Sequence, residues 1–465
     1  MKIYKAIPLL ALAVCYCVIT TMTSGCAQVG MPMGGPRDTT PPVLLNAAPQ
    51  NRTLHFTGNH ATFTFDEYVH LQDVQKYLLV NPVPKTIPTV TSKLKTVSIK
   101  IRDTLQPNTT YSFEFGNAIQ DINENNPIRN FTYVFSTGNY IDSLQLQGKV
   151  VLAQTGKPDS TLIVVLYDNL DDSAAYKVKP KYVANLDSLG RYHFKYLASG
   201  TYHLFALKDE SGQKMYNNPS QLFAFADSAV QISKDVEPVE LYAYSEETNT
   251  KPPVSSSGAR PKNAEKILKY SSSVSSGSQD LLTPLTLTLI TPLKNFDSSK
   301  IRLSDTLFNP IASDISLDST KKIITVKAGW TEDTHYRLVI DKNFGIDTLG
   351  EELKKTDTLS LKTKAEREYG SLKLDFRNLG KIKHPVLQFV QNNELVDSFK
   401  ISSPTFYVKL FNPGDYEIRI LDDENNNGSW DPGSYHLLKQ PEKVTAVPKK
   451  VSVRADWDNE YDIEL

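Results

Sequence analysis

Cysteine is almost missing from this 465-residue chain: Cys15, Cys17 and Cys26 are the only three. All lie near the N-terminus, so the body of the protein has no pair to oxidise and must rest on hydrophobic cores. Charge of one sign is missing too. Fifty-one basic residues face 52 acidic ones, a net charge of −1, which argues against the basic patch of a nucleic-acid partner. No long run of like charge occurs, and no apolar run reaches the ~20 residues of a spanning helix. Catalytic signatures are also missing. The eight histidines include no HExxH arrangement and none beside a cysteine, so zinc is unsupported. There is no Gly-x-Ser-x-Gly and no phosphate-cradling glycine loop. Ser92 and Lys95 have a Ser-x-x-Lys spacing, but they precede an alternating strand rather than open a helix. Asp66 and Glu67 are adjacent and point to opposite faces of a strand, wrong for two carboxylates sharing a substrate. No enzyme is expected.

What the chain does contain is short runs of Tyr, Thr, Val and Ile. Its 27 prolines, together with Gly, Asn and Asp, break them up. That pattern predicts an all-β protein of many short strands. The N-terminus differs. Met1 to Lys5 is a short basic start, Ala6 to about Ile19 is apolar, and Ser24-Gly25 leads into Cys26. These are the parts of a secretory signal peptide. A cysteine directly after the small residues resembles the lipobox of bacterial lipoproteins, although Thr23 replaces the usual leucine. The resemblance implies cleavage after Gly25 and lipidation of Cys26, leaving 465 − 25 = 440 residues. Residues 26–40 are rich in Gly and Pro and read as a flexible tether.

An internal repeat organises the rest. Gly200, Tyr202, Leu204, Ala206 and Asp209 align without a gap on Gly414, Tyr416, Ile418, Ile420 and Asp423, and Tyr216 then falls on Trp430. A second pair matches Thr109–Phe115 with Thr334–Ile340, each followed by an aspartate (Asp121 or Asp347) and turn residues. The two pairs alternate in the order A-B-A-B. Pro41-Pro42-Val43, the alternating Phe63–Val69 and Lys95–Ile101, and Leu105–Tyr111 resemble bacterial Ig-like domains of the surface-layer type. Leu146–Val151, Leu162–Tyr167 and the stretch from Asp187 through Gly190, Tyr192, Phe194 and Tyr196 to Gly200-Thr201-Tyr202 resemble transthyretin-like, carboxypeptidase-regulatory-type sandwiches. Tyr192, Phe194 and Tyr196 are expected on one face of their strand, as are Tyr202, Leu204 and Ala206. The resemblances imply tandem β-sandwich modules after a cleaved lipoprotein signal peptide (1–25). An Ig-like domain at 41–137 is followed by a transthyretin-like sandwich at 143–245 and a linker at 246–264. A second, more degenerate Ig-like domain at 265–365 and a second transthyretin-like sandwich at 366–465 complete the chain. Separate cores with the loosest joint at 246–264 are expected to leave two independently folded halves after proteolysis there.

One segment carries site chemistry. Asp423, Asn425, Asn427, Gly428, Ser429 and Asp431 fall at positions 1, 3, 5, 6, 7 and 9 of a calcium loop. Ser434 stands where position 12 requires a bidentate glutamate, and no helices flank the loop. Two readings stay open: a weak structural calcium site, at best ~10⁻⁴–10⁻³ M, or a polar turn using Asn and Gly for left-handed backbone. The corresponding Asp209–Asn217 segment has lost the turn glycine and a carboxylate and is expected to be metal-free.

Taken with Cys26, the chain resembles the Ig-like-domain envelope lipoproteins of Bacteroidetes. That resemblance implies a lipid-anchored structural or interaction protein of the outer membrane, facing the periplasm, with no required cofactor. Its expected partners are the membrane, through the lipid, and another envelope protein, as in an accessory subunit of an outer-membrane assembly. A glycan-binding accessory role is the alternative and an envelope hydrolase a distant third.

Overall fold

The computed structural model describes residues 37–234, 236–247, 267–274 and 277–465. Cys26, the cleavage site and most of the tether and of the 246–264 linker lie outside the described residues. Among the described residues no helix is long and apolar enough to cross a membrane. The protein is all-β, built of tandem sandwiches. It divides into two compact units: 37–79 with 85–107 and 113–137, and 138–465 with the short segments 80–84 and 108–112.

In the first unit the sheet order is Leu44–Ala48, His60–Phe65, Thr96–Lys100, Thr89–Lys93. Each central strand alternates buried and exposed residues, so Ala61, Phe63 and Phe65 meet Val97 and Ile99 on one apolar face. Phe63 packs edge-on against Phe115, Phe131 and Tyr133. In the second unit, Tyr270–Ser272, Leu285–Leu289, Ile323–Ala328 and Ser313–Leu317 repeat that sheet order, over a core including Leu287, Leu303, Val326 and Leu338. The degenerate opening of this copy, Tyr270–Ser272, still pairs with the next strand as its counterpart does.

The aspartate shared by this pair has a physical role. Asp121 is buried and accepts backbone N–H groups from Glu124 (2.7 Å), Asn125 (2.9 Å) and Asn126 (3.0 Å). Asp347, also buried, accepts those of Leu349 (2.9 Å) and Glu351 (2.8 Å). Burial works against ionisation of Asp121, but the N–H donors of Glu124, Asn126 and Asn125 outweigh it and hold the carboxyl below its usual range. A depressed carboxylate stabilises the fold above its unfolded pKa and loses that contribution as pH falls through the folded value. Asp121→Ala, which strands those donors, is expected to cost on the order of 2–3 kcal/mol at pH 7. Thermal denaturation at pH 7 and pH 3 checks this, since the gap from wild type should shrink below 3.8.

The other pair of sandwiches also share one topology. Arg191–Leu197, Leu144–Leu152 and Val239–Ala243 form one sheet, and Tyr182–Asn185, Ile163–Tyr167, Gly200–Leu207 and Phe223–Phe225 the other. The C-terminal copy repeats it, except that one long strand, Lys443–Val453, stands where the second sandwich has Phe223–Phe225 and a separate Val230–Ile232. Thr405–Phe411, Gly370–Arg377 and Asp458–Glu464 oppose Glu394–Lys400, Pro385–Gln391, Gly414–Asp422 and Lys443–Val453. In both, the first strand pairs antiparallel on one side and parallel with the last strand on the other. Tyr202 and Tyr416 each lie over the glycine two residues before and donate to the carbonyl four residues before, Ala198 (3.1 Å) and Asn412 (2.8 Å).

One expected face differs. Tyr192 and Phe194 enter the core, but Tyr196 has φ 57° and Leu197 takes the next inward position. The ladder shifts register between Leu144 and Leu146. An extra residue in a bulge flips the alternation by one.

Candidate functional site

The calcium-type loop leaves the end of strand Gly414–Asp422 and begins with Asp423, which is fully buried. Its carboxylate accepts the N–H groups of Asn427 (3.0 Å) and Gly428 (2.6 Å). The side-chain oxygen of Asn425 accepts from Asn427 N–H (3.0 Å), and that of Asn427 from Ser429 N–H (2.6 Å). Gly428, at φ 85°, makes the sharp turn. Nδ2 of Asn427 donates to Oδ2 of Asp431 at 2.9 Å, and Nδ2 of Asn425 donates to the same oxygen. The structure therefore brings Asp423, Asn425, Asn427, Ser429 and Asp431 round one turn. Their fit to a cation is partial. The backbone wraps as a calcium loop does, while both amide nitrogens, rather than oxygens, face Asp431. Among the described residues no three His, Cys, Asp or Glu side chains are grouped to hold a metal.

Sequence reasoning missed Glu442. It is buried, and its carboxylate accepts N–H groups from both ends of the loop, Glu424 (3.0 Å) and Asp431 (3.0 Å). Its carbonyl accepts the Trp430 indole N–H at 2.8 Å. Burial, and then the neighbouring carboxylates of Asp431 and Asp423, push the Glu442 carboxyl above its usual range against the pull of those donors. Trp430 itself packs on Val386, Leu421 and Val444, a small apolar cluster beneath the loop. Nothing in the motif spacing points to Glu442. Ser434, the residue at the empty twelfth position, instead pairs with Lys439 through two backbone hydrogen bonds of 2.8 and 2.9 Å.

That pairing makes residues 434–439 a hairpin whose tip side chains decide how the sandwiches meet. Tyr435 is buried among aromatics of the second sandwich, with ring centroids 4.9 Å from Phe223, 5.3 Å from Phe225, 5.5 Å from Phe205 and 5.6 Å from Tyr176. Its hydroxyl donates to the Asp172 carbonyl (2.6 Å), and its N–H to the Glu246 carboxylate (2.7 Å). Gln440 donates to the Phe225 carbonyl (3.0 Å) and Val444 N–H to the Ala153 carbonyl (2.9 Å). Lys157 pairs with Glu417 at 2.6 Å. The close approach needs Gly156, whose added Cβ would lie 2.5 Å from the Val444 carbonyl oxygen. The fourth sandwich is thus docked on the second. Strand Gly200–Leu207 buries both faces for this reason: Tyr202, Leu204 and Ala206 face its own core, and Phe205 faces Tyr435.

Exposed aromatics are scattered. Phe308 lies under the Arg337 guanidinium (4.5 Å), Trp457 under that of Arg454 (5.5 Å) and Tyr68 under the Lys95 ammonium (5.7 Å). Tyr140 and Tyr407 are exposed as well.

Residues 38–137 match the bacterial Ig-like domain family. Comparison with curated proteins finds no match. Among solved structures, native alpha-2-macroglobulin from Escherichia coli aligns at 13% identity, covering 39% of this chain and 72% of that one, with a TM-score of 0.21. BcpA, the major pilin subunit of Bacillus cereus, aligns at 10% identity over 70% and 99%, with a TM-score of 0.18. The BSP domain of a biofilm associated protein aligns at 8% identity over 85% and 96%, with a TM-score of 0.15. Likeness at these scores carries no argument about what this chain does.

Proposed function

We propose that the protein is a lipid-anchored cell-envelope scaffold, without catalytic activity, that presents its sandwich surfaces to another envelope protein. The docking of the fourth sandwich on the second carries this reading. A chain that buries both faces of a strand to hold two modules in register is built as a frame, and Cys26 gives that frame an anchor. Outer-membrane attachment facing the periplasm is supported by Ala27-Gln28, which lacks the aspartate of inner-membrane retention, and by the absence of an acidic cluster after Cys26. Affinity capture of the tagged full-length protein from envelope extracts is expected to recover one envelope protein in near-stoichiometric amount. Recovery of polysaccharide alone would instead establish the glycan-binding alternative. Ready digestion by protease added to intact cells would overturn the periplasmic orientation.

The loop at 423–431 is proposed as a weak calcium site that serves shape. Asp423 and Asp431 would hold the ion with the amide oxygens of Asn425 and Asn427 and the carbonyl of Ser429. A cation there would also offset the charges of Asp431 and Asp423, which add to burial in raising the Glu442 carboxyl. At tenfold over Kd the folded state gains RT ln(1 + [Ca²⁺]/Kd), about 1.4 kcal/mol. The full-length protein is therefore expected to melt higher in millimolar calcium than in chelator, and Asp423→Ala to abolish the difference. Equal melting temperatures would leave the loop a plain polar turn, and equal stabilisation by magnesium would indicate charge screening, because magnesium demands a tighter octahedral site.

A further inference from the structure

We propose that the aromatic socket of the second sandwich is a recognition site for a tyrosine-tipped β-hairpin, filled in this chain by residues 434–439 of its own fourth sandwich. The two modules are held by complementary surfaces rather than by the covalent path between them. Recognition has three parts. Tyr435 is the anchor: a large side chain buried in a pocket of four rings, with its one polar atom satisfied by Asp172. Backbone and amide bonds set register, through Glu246, Gln440 and the Val444–Ala153 pair. Charge completes the rim, where Lys157 meets Glu417 and Lys443 sits 4.4 Å from the Tyr242 ring centre. A buried aromatic ringed by polar contacts is the arrangement of an interface hot spot. The socket is also more than a covering of spare apolar area. Gly433 and Gly156 let backbone and ring approach so closely that an added Cβ at either would overlap the other module, at 2.7 Å from the Tyr244 ring in the first case. Without the hairpin, Phe205, Phe223 and Phe225 would lose their cover on the outer face of their sheet, a patch that monomeric proteins rarely leave open.

The test uses the full-length chain carrying a site for a sequence-specific protease between Pro252 and Gly258. After cleavage, the two fragments are expected to co-elute on size exclusion at about 10 μM, a concentration at which a micromolar or tighter interface stays associated. Tyr435→Ala is expected to weaken their association at least about 30-fold, the loss typical of a central anchor. Lys157→Glu, which puts two carboxylates together at the rim and leaves both cores untouched, should weaken it less, and the swapped pair Lys157→Glu/Glu417→Lys should restore it. Circular dichroism of each cleaved protein distinguishes undocking from unfolding. Separation of the wild-type fragments would overturn the proposal, as would unchanged association in the Tyr435 and Lys157 variants.

Discussion

Cys26→Ser is expected to move the protein from the membrane fraction to the soluble fraction, a loss of nearly all membrane association. Residues 27–465 contain no cysteine, so no second thiol stands in for Cys26. Burial of acyl chains contributes about 0.8 kcal/mol per methylene, and stable anchoring takes more than one chain; removing the anchor removes all of it at once. The folded sandwiches should be unaffected, because Cys26 precedes Leu44, where the first described strand begins, by 18 residues. The measurement is fractionation of wild type and variant with metabolic labelling by a fatty acid. Identical partition of the two, or label retained on the serine variant, would defeat the anchor and with it the envelope role proposed above.

The sequence reveals the fold better than it reveals the site. Period-two alternation in Lys95–Ile101 and Thr334–Ile340 reports strands with one buried face, and the structure places them so. Phe63–Val69 is instead broken: the first strand ends at Phe65, and Val69–Leu71 is a separate strand paired with Ile119–Asp121. The Gly-x-Tyr pairs at 200–202 and 414–416 are legible because a tyrosine can fold back over a residue without a side chain. Tyr196 was not legible, since a bulge is set by register with a partner strand and leaves no local signature. At the candidate site, the first nine positions of the loop follow from spacing alone. Glu442 lies on the far side of a hairpin and meets the loop only in three dimensions. The docking of the two sandwiches did leave a trace. Leu204 to Leu207 and Phe223 to Phe225 are continuous apolar runs, the mark of a strand buried on both faces. Alternation of Tyr202, Leu204 and Ala206 accounts for one face only and leaves Phe205 and Leu207 on the other unexplained.

Gly148→Ala is expected to be among the most destabilising single methyl additions in the second sandwich, at about 2–6 kcal/mol. Gly148 lies mid-strand, paired with Tyr192 on one side and with Val239 in parallel on the other. A Cβ built there would sit 1.9 Å from the Val239 carbonyl oxygen and 2.5 Å from the Tyr192 hydroxyl. That hydroxyl donates to the same carbonyl at 2.9 Å, so one glycine holds open the space for ring, hydroxyl and acceptor together. The methyl must displace either the closing strand Val239–Ala243 or the tyrosine. Overpacking costs roughly 1–3 kcal/mol, and the hydrogen bond it breaks leaves a buried group unpaired for about 1–3 more. Gly329→Ala is the control, because nothing lies within 4 Å of a Cβ there, and it should change stability by less than about 0.5 kcal/mol. Tyr192→Phe in the Gly148→Ala background separates the two clashes. It relieves the hydroxyl but neither the Val239 carbonyl nor the ring Cζ at 2.7 Å, so denaturant unfolding should show partial recovery and not wild-type stability. Full recovery would place the whole penalty on the tyrosine, and a Gly148→Ala protein as stable as the Gly329→Ala control would refute the packing argument altogether.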